Sequence, residues 1–314
     1  MDNQNAKGSF LLTLLDGKDR DTVVALFKTI ELYEEKWGSQ IQTRSVEEVQ
    51  DFIDAELSKN KLYPATKFYF LKKYLRWCAT KDIKITEGLD VKVGLSWLSE
   101  YKNKLIKDAL QLRIYLDTLF SPEEEVSTDV LLRAYCWLVY MGLSDDQIDD
   151  LRISNVDLGE MIIVVDGKVY DIYREAFRTL KLCVERDILK YNHSKYSTLI
   201  KRIDGDRIVR GVKSERKVVT LKSDISTANK QALENGKTNL NLTPRSIKMS
   251  GIFDRQYEKE RMGQPIDFSW LVASEYLEAS KQVDCQKRKA SHRKEKNYQD
   301  EYYRWKIIFK LDDC

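Results

Sequence analysis

The chain has 314 residues, 42% of them hydrophobic and 33% charged, a balance that excludes wholesale disorder. No apolar run approaches the ~18 residues of a membrane span, and the opening "MDNQNAKGSF" lacks the basic end and apolar stretch of a secretion signal. The net charge of +3 is uneven, because residues 121–160 carry −8 and leave +11 on the remainder. Duplex nucleic acid is therefore the first partner to consider, since phosphate affinity follows local cationic surface.

Taken in chain order, residues 9–16 and 22–37 have helical periodicity, and Gly38 offers a stop. "SVEEVQDFIDAEL" opens on a capping box, Ser45 to Glu48, with Val46, Val49, Phe52 and Ile53 on one face. Pro64 suits the first turn of the next helix, in which Phe68, Leu71, Leu75 and Cys78 form an apolar stripe. Lys67, Lys72, Lys73 and Arg76 supply its cations. One or two more helices over 91–119 complete an all-helical first part, with Arg113 on the last of them. Ser121, Pro122 and three glutamates then favour a helix start. Two apolar helices follow.

"MIIVVDGKVYDIY" carries an Asp-Gly turn between β-branched runs, the pattern of a hairpin. Helix is predicted again over 174–191, a strand pair within 207–221, and helix from "LTPRSIKMSGIFDRQYEKERMG" onward. The chain closes on the basic run "QKRKASHRKEK" and the aromatic tail "YYRWKIIFKL". The fold class expected is mainly α with a small β-sheet. Its boundaries are a helical extension over 1–44, a helical DNA-binding domain over 45–120, a mixed α+β domain over 121–280 and a tail over 281–314.

The five cysteines (78, 136, 183, 285 and 314) are scattered and never form a CxxC pair, which predicts reduced thiols in a cytosol and no metal site. His193 and His292 have no partners at metal-ligand spacing. No cofactor is expected.

In order and spacing the segments resemble the tyrosine recombinase, or phage integrase, family over roughly residues 45–280. "LYPATKFYFLKKYLRWCATKDI" is similar to the helix of that family's helical (SAM-like) core-binding domain that lies against DNA. "GLSDDQIDDLRISNVDL" aligns without a gap to the pattern G-L-R-I-S-E-x-x-x-L-R-W-S-D-I-D, and "LTPRSIKMSGIF" to L-T-x-H-x-L-R-H-T-x-A. The resemblance implies DNA strand cleavage by a tyrosine hydroxyl, with arginines, a lysine and histidines stabilising the phosphoryl oxygens.

Carried across, the first arginine falls on Ser144 and the acidic residue after it on Gln147. The hairpin lysine is retained as Lys168, the histidine of the second pattern becomes Arg245, and its arginine becomes Lys248. The stretch where the nucleophile belongs, "EASKQVDCQKR", holds no tyrosine. Tyr276 lies early, and Tyr298, Tyr302 and Tyr303 lie late. Asp145, Asp146, Asp149 and Asp150 are read as a solvated acidic face that would repel a scissile phosphate.

The expectation is a scaffold without its reaction: a DNA-binding regulator, such as a repressor of phage or mobile-element genes, in the cytoplasm of a bacterial or phage-infected cell. Its partner is double-stranded DNA. The expected contacts are Lys67, Lys72, Lys73, Arg76, Arg113, Lys168, Arg202, Arg210, Lys217, Arg245, Lys248, Lys287, Arg288 and Lys289. The tail is expected to support self-association. Two alternatives stay open, an active recombinase with a displaced tyrosine and an accessory protein bound to a partner recombinase.

Overall fold

The computed structural model describes residues 6–14, 18–57, 64–95, 99–121, 123, 127–192, 197–202, 204–210, 218–269, 271, 285–309 and 311. Two compact units emerge, one from residues 1–99 with 266–314 and the other from 100–265. The boundaries expected from sequence are therefore revised. Residues 1–44 are part of the first unit and not an extension. The last stretch of the chain returns to that unit, and the helix over 109–119 belongs to the second.

The first unit is helical: α1 (Ala6–Leu11), α2 (Lys18–Trp37), α3 (Val46–Phe52), α4 (Pro64–Thr80), α5 (Leu89–Lys92) and, from the end of the chain, a long helix over Cys285–Phe309. Gly38 ends α2 with φ at +66°, a conformation that glycine adopts without strain. The box at α3 forms as predicted: Ser45 Oγ accepts from Glu48 N at 3.2 Å, and Glu48 Oε2 accepts from Ser45 N at 3.1 Å. Around Tyr74 of α4, the rings of Phe10 (5.4 Å) and Phe27 (5.0 Å) pack edge-on. Such aromatic pairs add to what burial alone contributes.

The terminal helix buries Tyr298, Tyr302, Tyr303 and Trp305. Its Asp300 Oδ1 accepts from Thr66 N (3.1 Å) and Thr66 Oγ1 (2.9 Å), capping the positive end of α4. The Lys306 ammonium lies 4.7 Å above the Tyr69 ring, and Tyr303 OH donates to Asp19 at 3.1 Å. The described part of the tail thus packs on α4 and α2 of its own chain.

The second unit follows the short turn α6 (Ser99–Lys102) and is built around α8 (Asp129–Tyr140), in which 11 of 12 residues are buried. A helix apolar on every side belongs in the middle of a core. It packs against α10 (Arg174–Glu185), α11 (Val218–Glu234) and α12 (Pro244–Arg261), and α7 (Ala109–Leu119) packs against α10 and α11. The terminal helix Cys285–Phe309 is α13. The one buried cation of α8, Arg133, is satisfied by Asp117 Oδ1 (2.7 Å) and the carbonyls of Phe120 and Ser121. Gly251 of α12 lies against the end of α8: a Cβ there would overlap the Tyr140 carbonyl oxygen and come within 2.8 Å of its carbon.

Strands β1 (Val156–Asp157), β2 (Ile162–Val165) and β3 (Lys168–Asp171) form an antiparallel sheet in that order, and β4 (Ile188–Asn192) pairs with β5 (Ser197–Lys201). The β2–β3 turn holds Asp166 (φ 52°) and Gly167 (φ 71°), the two left-handed positions of a type I′ turn.

Three expected elements differ. The helix predicted over 174–191 ends at Glu185, because Ile188–Asn192 finds a strand partner in Ser197–Lys201. The strand pair expected over 207–221 is absent from its described residues. Val218 instead starts α11, whose Leu221, Ile225 and Ala232 recur at helical spacing on the core side. The helix start expected at Ser121 falls at Asp129, where Ser121 N donates to Asp129 Oδ2 at 2.9 Å.

Candidate nucleic-acid interface

In the first unit the cations of α4 separate by face. At 100° per residue, Lys72, Arg76 and Lys73 fall within an arc of about 100°, whereas Lys67 projects about half a turn away. The arc lies in the C-terminal half of the helix, where Lys73 is exposed and Lys72 and Arg76 are half-buried. Neighbours steady these side chains. The Lys72 and Lys73 ammoniums lie 5.9 and 5.8 Å from the rings of Phe68 and Tyr69, and Arg76 Nε lies 3.8 Å from Asp90 Oδ2 of α5. Three of the four expected cations thus share one surface, and Lys67 does not.

In the second unit Ser144 is the N-cap of α9 (Asp145–Asp150). Its Oγ accepts from Gln147 N at 3.2 Å, and Gln147 Oε1 accepts from Ser144 N at 3.0 Å. Gln147 Nε2 also donates to Asp166 Oδ2 in the β2–β3 turn at 2.9 Å, which ties α9 to the hairpin carrying the exposed Lys168. Arg245 and Lys248 occupy the first turn and a half of α12, Arg245 exposed and Lys248 half-buried. Lys248 stands one turn before Gly251, which touches the carbonyl of Tyr140, and Ser144 follows Tyr140 by four residues. Gln147 thus joins α9 to the hairpin, and α12 meets the end of α8 at Gly251 and Arg255. Among the described residues Lys168, Arg245 and Lys248 have no ion-pair partner, so their charge is open to an anion.

The aspartates of α9 have definite work. Asp145 pairs with Lys222 and accepts from Tyr135 OH at 3.1 Å. Asp149 Oδ1 accepts from Val218 N at 2.9 Å, capping α11 at its positive end, and Asp150 lies 3.3 Å from Arg207 Nη2. Asp146 is exposed. The face is largely exposed, as expected from sequence, and three of its four carboxylates also join α9 to α11 and to the segment before it.

Two expected DNA contacts are corrected as well. Arg202 is 2% exposed and donates to the carbonyls of Cys183 (2.7 Å), Arg186 (3.0 Å) and Ile208 (2.5 Å). Arg210, 7% exposed, donates to the Gly205 carbonyl at 2.7 Å and to Asp187 at 3.0 Å. Both guanidiniums replace backbone pairing inside the unit and cannot reach a phosphate. Arg113 is exposed on α7, 3.9 Å from Asp117. Lys217, Tyr276 and His193 lie outside the described residues, as do the side chains of Lys287, Arg288, Lys289 and His292, although these four positions are helical in α13. The late tyrosines, Tyr298, Tyr302 and Tyr303, are core residues of the first unit.

Sequence reading missed Arg255, whose Nη1 donates to the Tyr140 carbonyl at 3.0 Å while Nη2 rests against Gly142. Gly142, at φ +97°, is the only residue type that fits there without strain, and the Gly-Leu that follows an apolar helix was the available signal. Beside it, Asp254 accepts from Tyr140 OH at 2.9 Å, and burial pushes its carboxyl up to about 6. A raised carboxyl pKa means that the folded state holds the proton more tightly. Its stabilising contribution is complete below the unfolded value near 3.8 and is lost as pH rises through 6. Thermal melts at pH 4.5, 5.5 and 7 should therefore show wild type losing about 2 kcal/mol across this window relative to Asp254→Asn, whose profile lacks the step.

Among the described residues no group of three or more His, Cys, Asp or Glu side chains is placed to hold a metal ion, and no helix is long and apolar enough to cross a membrane. No protein-family model and no curated protein matches this chain. Among solved structures the crystal structure of XerA recombinase is similar, with a TM-score of 0.33 and 16% identity over 81% of this chain and 82% of that one. A likeness this distant transfers no residue role.

Proposed function

We propose that this chain binds specific duplex DNA sites without cleaving them, and that it acts as a transcriptional regulator, in the manner of a repressor of phage or mobile-element genes. The observation that carries the reading is the capping box at Ser144 and Gln147. The two positions where the recombinase resemblance requires a guanidinium and a carboxylate hold neutral side chains, each accepting from the other residue's backbone N–H. A fixed donor missing from a phosphoryl-transfer site typically costs about 2.7–4 kcal/mol of barrier. Lys248 lacks the two-pronged geometry of arginine, and Arg245 cannot act as a base near neutral pH.

Binding needs much less. Lys168, Arg245 and Lys248 form a cationic set able to hold an intact phosphate, and Lys72, Lys73 and Arg76 provide a second cationic surface. The test is selection of fragments of the source genome by the purified full chain at moderate salt. Discrete fragments should be recovered. The pairs Lys72→Ala/Arg76→Ala and Arg245→Ala/Lys248→Ala should each weaken binding and make the slope of log affinity against log salt shallower by roughly 2, one unit for each lost phosphate contact. Uniform recovery of all fragments would remove the regulatory reading, and no recovery would remove DNA binding altogether.

A further inference from the structure

We propose that the outer edge of β5 is a self-association site, to which a second copy of this chain adds its own β5 antiparallel, giving a continuous β4–β5–β5–β4 sheet. The inference rests on the β4–β5 ladder alone and is independent of DNA binding.

The register pairs Ile188 with Lys201, Leu189 with Ile200, Lys190 with Leu199 and Tyr191 with Thr198. Arg202 N donates to Asp187 O at 2.7 Å, so hydrogen-bonded pairs alternate from there through Leu189/Ile200 and Tyr191/Thr198. The intervening residues turn their backbone groups away from the ladder. On the β4 side the consequence is visible: Lys190 O accepts from Thr128 N at 3.0 Å, next to a parallel bridge with Ser127. On the β5 side the outward groups belong to Ser197, Leu199 and Lys201, and among the described residues nothing pairs with them. Leu199 is 77% exposed and shares a sheet face with Ile188, which is 55% exposed. An open edge carrying apolar side chains is a template for strand addition.

The residue order favours a second copy as the occupant. An antiparallel pair centred on Leu199 sets position 197 across from 201, 198 across from 200, and Leu199 across from its equivalent. Every outward N–H then meets an outward carbonyl. Lys201 is set across from position 197 and not from another lysine, and the exposed Leu199 buries itself against its own copy beside Ile188. Two five-residue strands make a contact well below a standard interface of ~1,200–2,000 Å², which predicts a weak, concentration-dependent dimer.

Sedimentation velocity of the full chain without DNA tests this. Wild type should shift from monomer to dimer as concentration rises. In Leu199→Pro the lost N–H is one that the chain's own ladder does not use, so β4–β5 survives and the dissociation constant should rise about tenfold or more. Leu199→Lys and Leu199→Glu should each weaken association, and mixing the two should restore it, because the opposed positions then carry opposite charges. The mixture keeps the test decisive if the proline variant fails to fold. A chain that stays monomeric throughout, a dimer unaffected by these changes, or a Lys/Glu mixture no stronger than either alone would overturn the proposal.

Discussion

Gly251→Ala is expected to destabilise the second unit by about 3 kcal/mol or more, measured as a lower urea midpoint with an unchanged slope. The sign is what makes the result informative. Alanine in place of glycine inside an exposed helix ordinarily stabilises by roughly 0.5–1 kcal/mol. Here the added methyl has nowhere to go, since it would overlap the Tyr140 carbonyl oxygen and approach the Tyr140 ring carbon to 2.9 Å. Backbone cannot swing aside as a flexible side chain does, so α12 must part from α8. The Tyr140–Asp254 hydrogen bond and the Arg255 cap of α8 lie one turn further along and would be disturbed with it. A neutral or stabilising result would mean that α8 and α12 are not in backbone contact.

Arg202→Ala should cost about 3–4 kcal/mol of stability and leave the salt dependence of DNA binding unchanged. Its buried guanidinium answers three carbonyls at the junction of α10, β4 and the segment reaching Ile208. Arg202→Lys should rescue little, because a single ammonium cannot supply the same planar fork. A variant of normal stability with a shallower salt slope would return Arg202 to the DNA surface, where its sequence neighbourhood had suggested it belonged.

That contrast shows what the sequence made legible. Features determined within a few residues were readable: the box at Ser45 and Glu48, the stop at Gly38 and the Asp166–Gly167 hairpin all depend on local backbone chemistry. Features determined by distant partners were not. Ile188–Asn192 continues a helical pattern in sequence and becomes a strand only because Ser197–Lys201 lies alongside. The return of α13 to α4 depends on Asp300 meeting Thr66, 234 residues away along the chain. A buried arginine has the same letter as an exposed one, so Arg202 and Arg210 could not be told from Lys72 or Arg245. The aspartates of α9 posed the same difficulty, since their partners, Lys222, Val218 and Arg207, lie 57–77 residues ahead.

A duplex carrying a nick that traps covalent intermediates, built on a fragment that the protein selects, provides the decisive measurement. After incubation the mixture is resolved in parallel under native and denaturing conditions. Retarded DNA on the native gel with no protein-linked strand on the denaturing gel is the expected result, for wild type and for Ser144→Arg alike. A strand joined to the protein through tyrosine would contradict it.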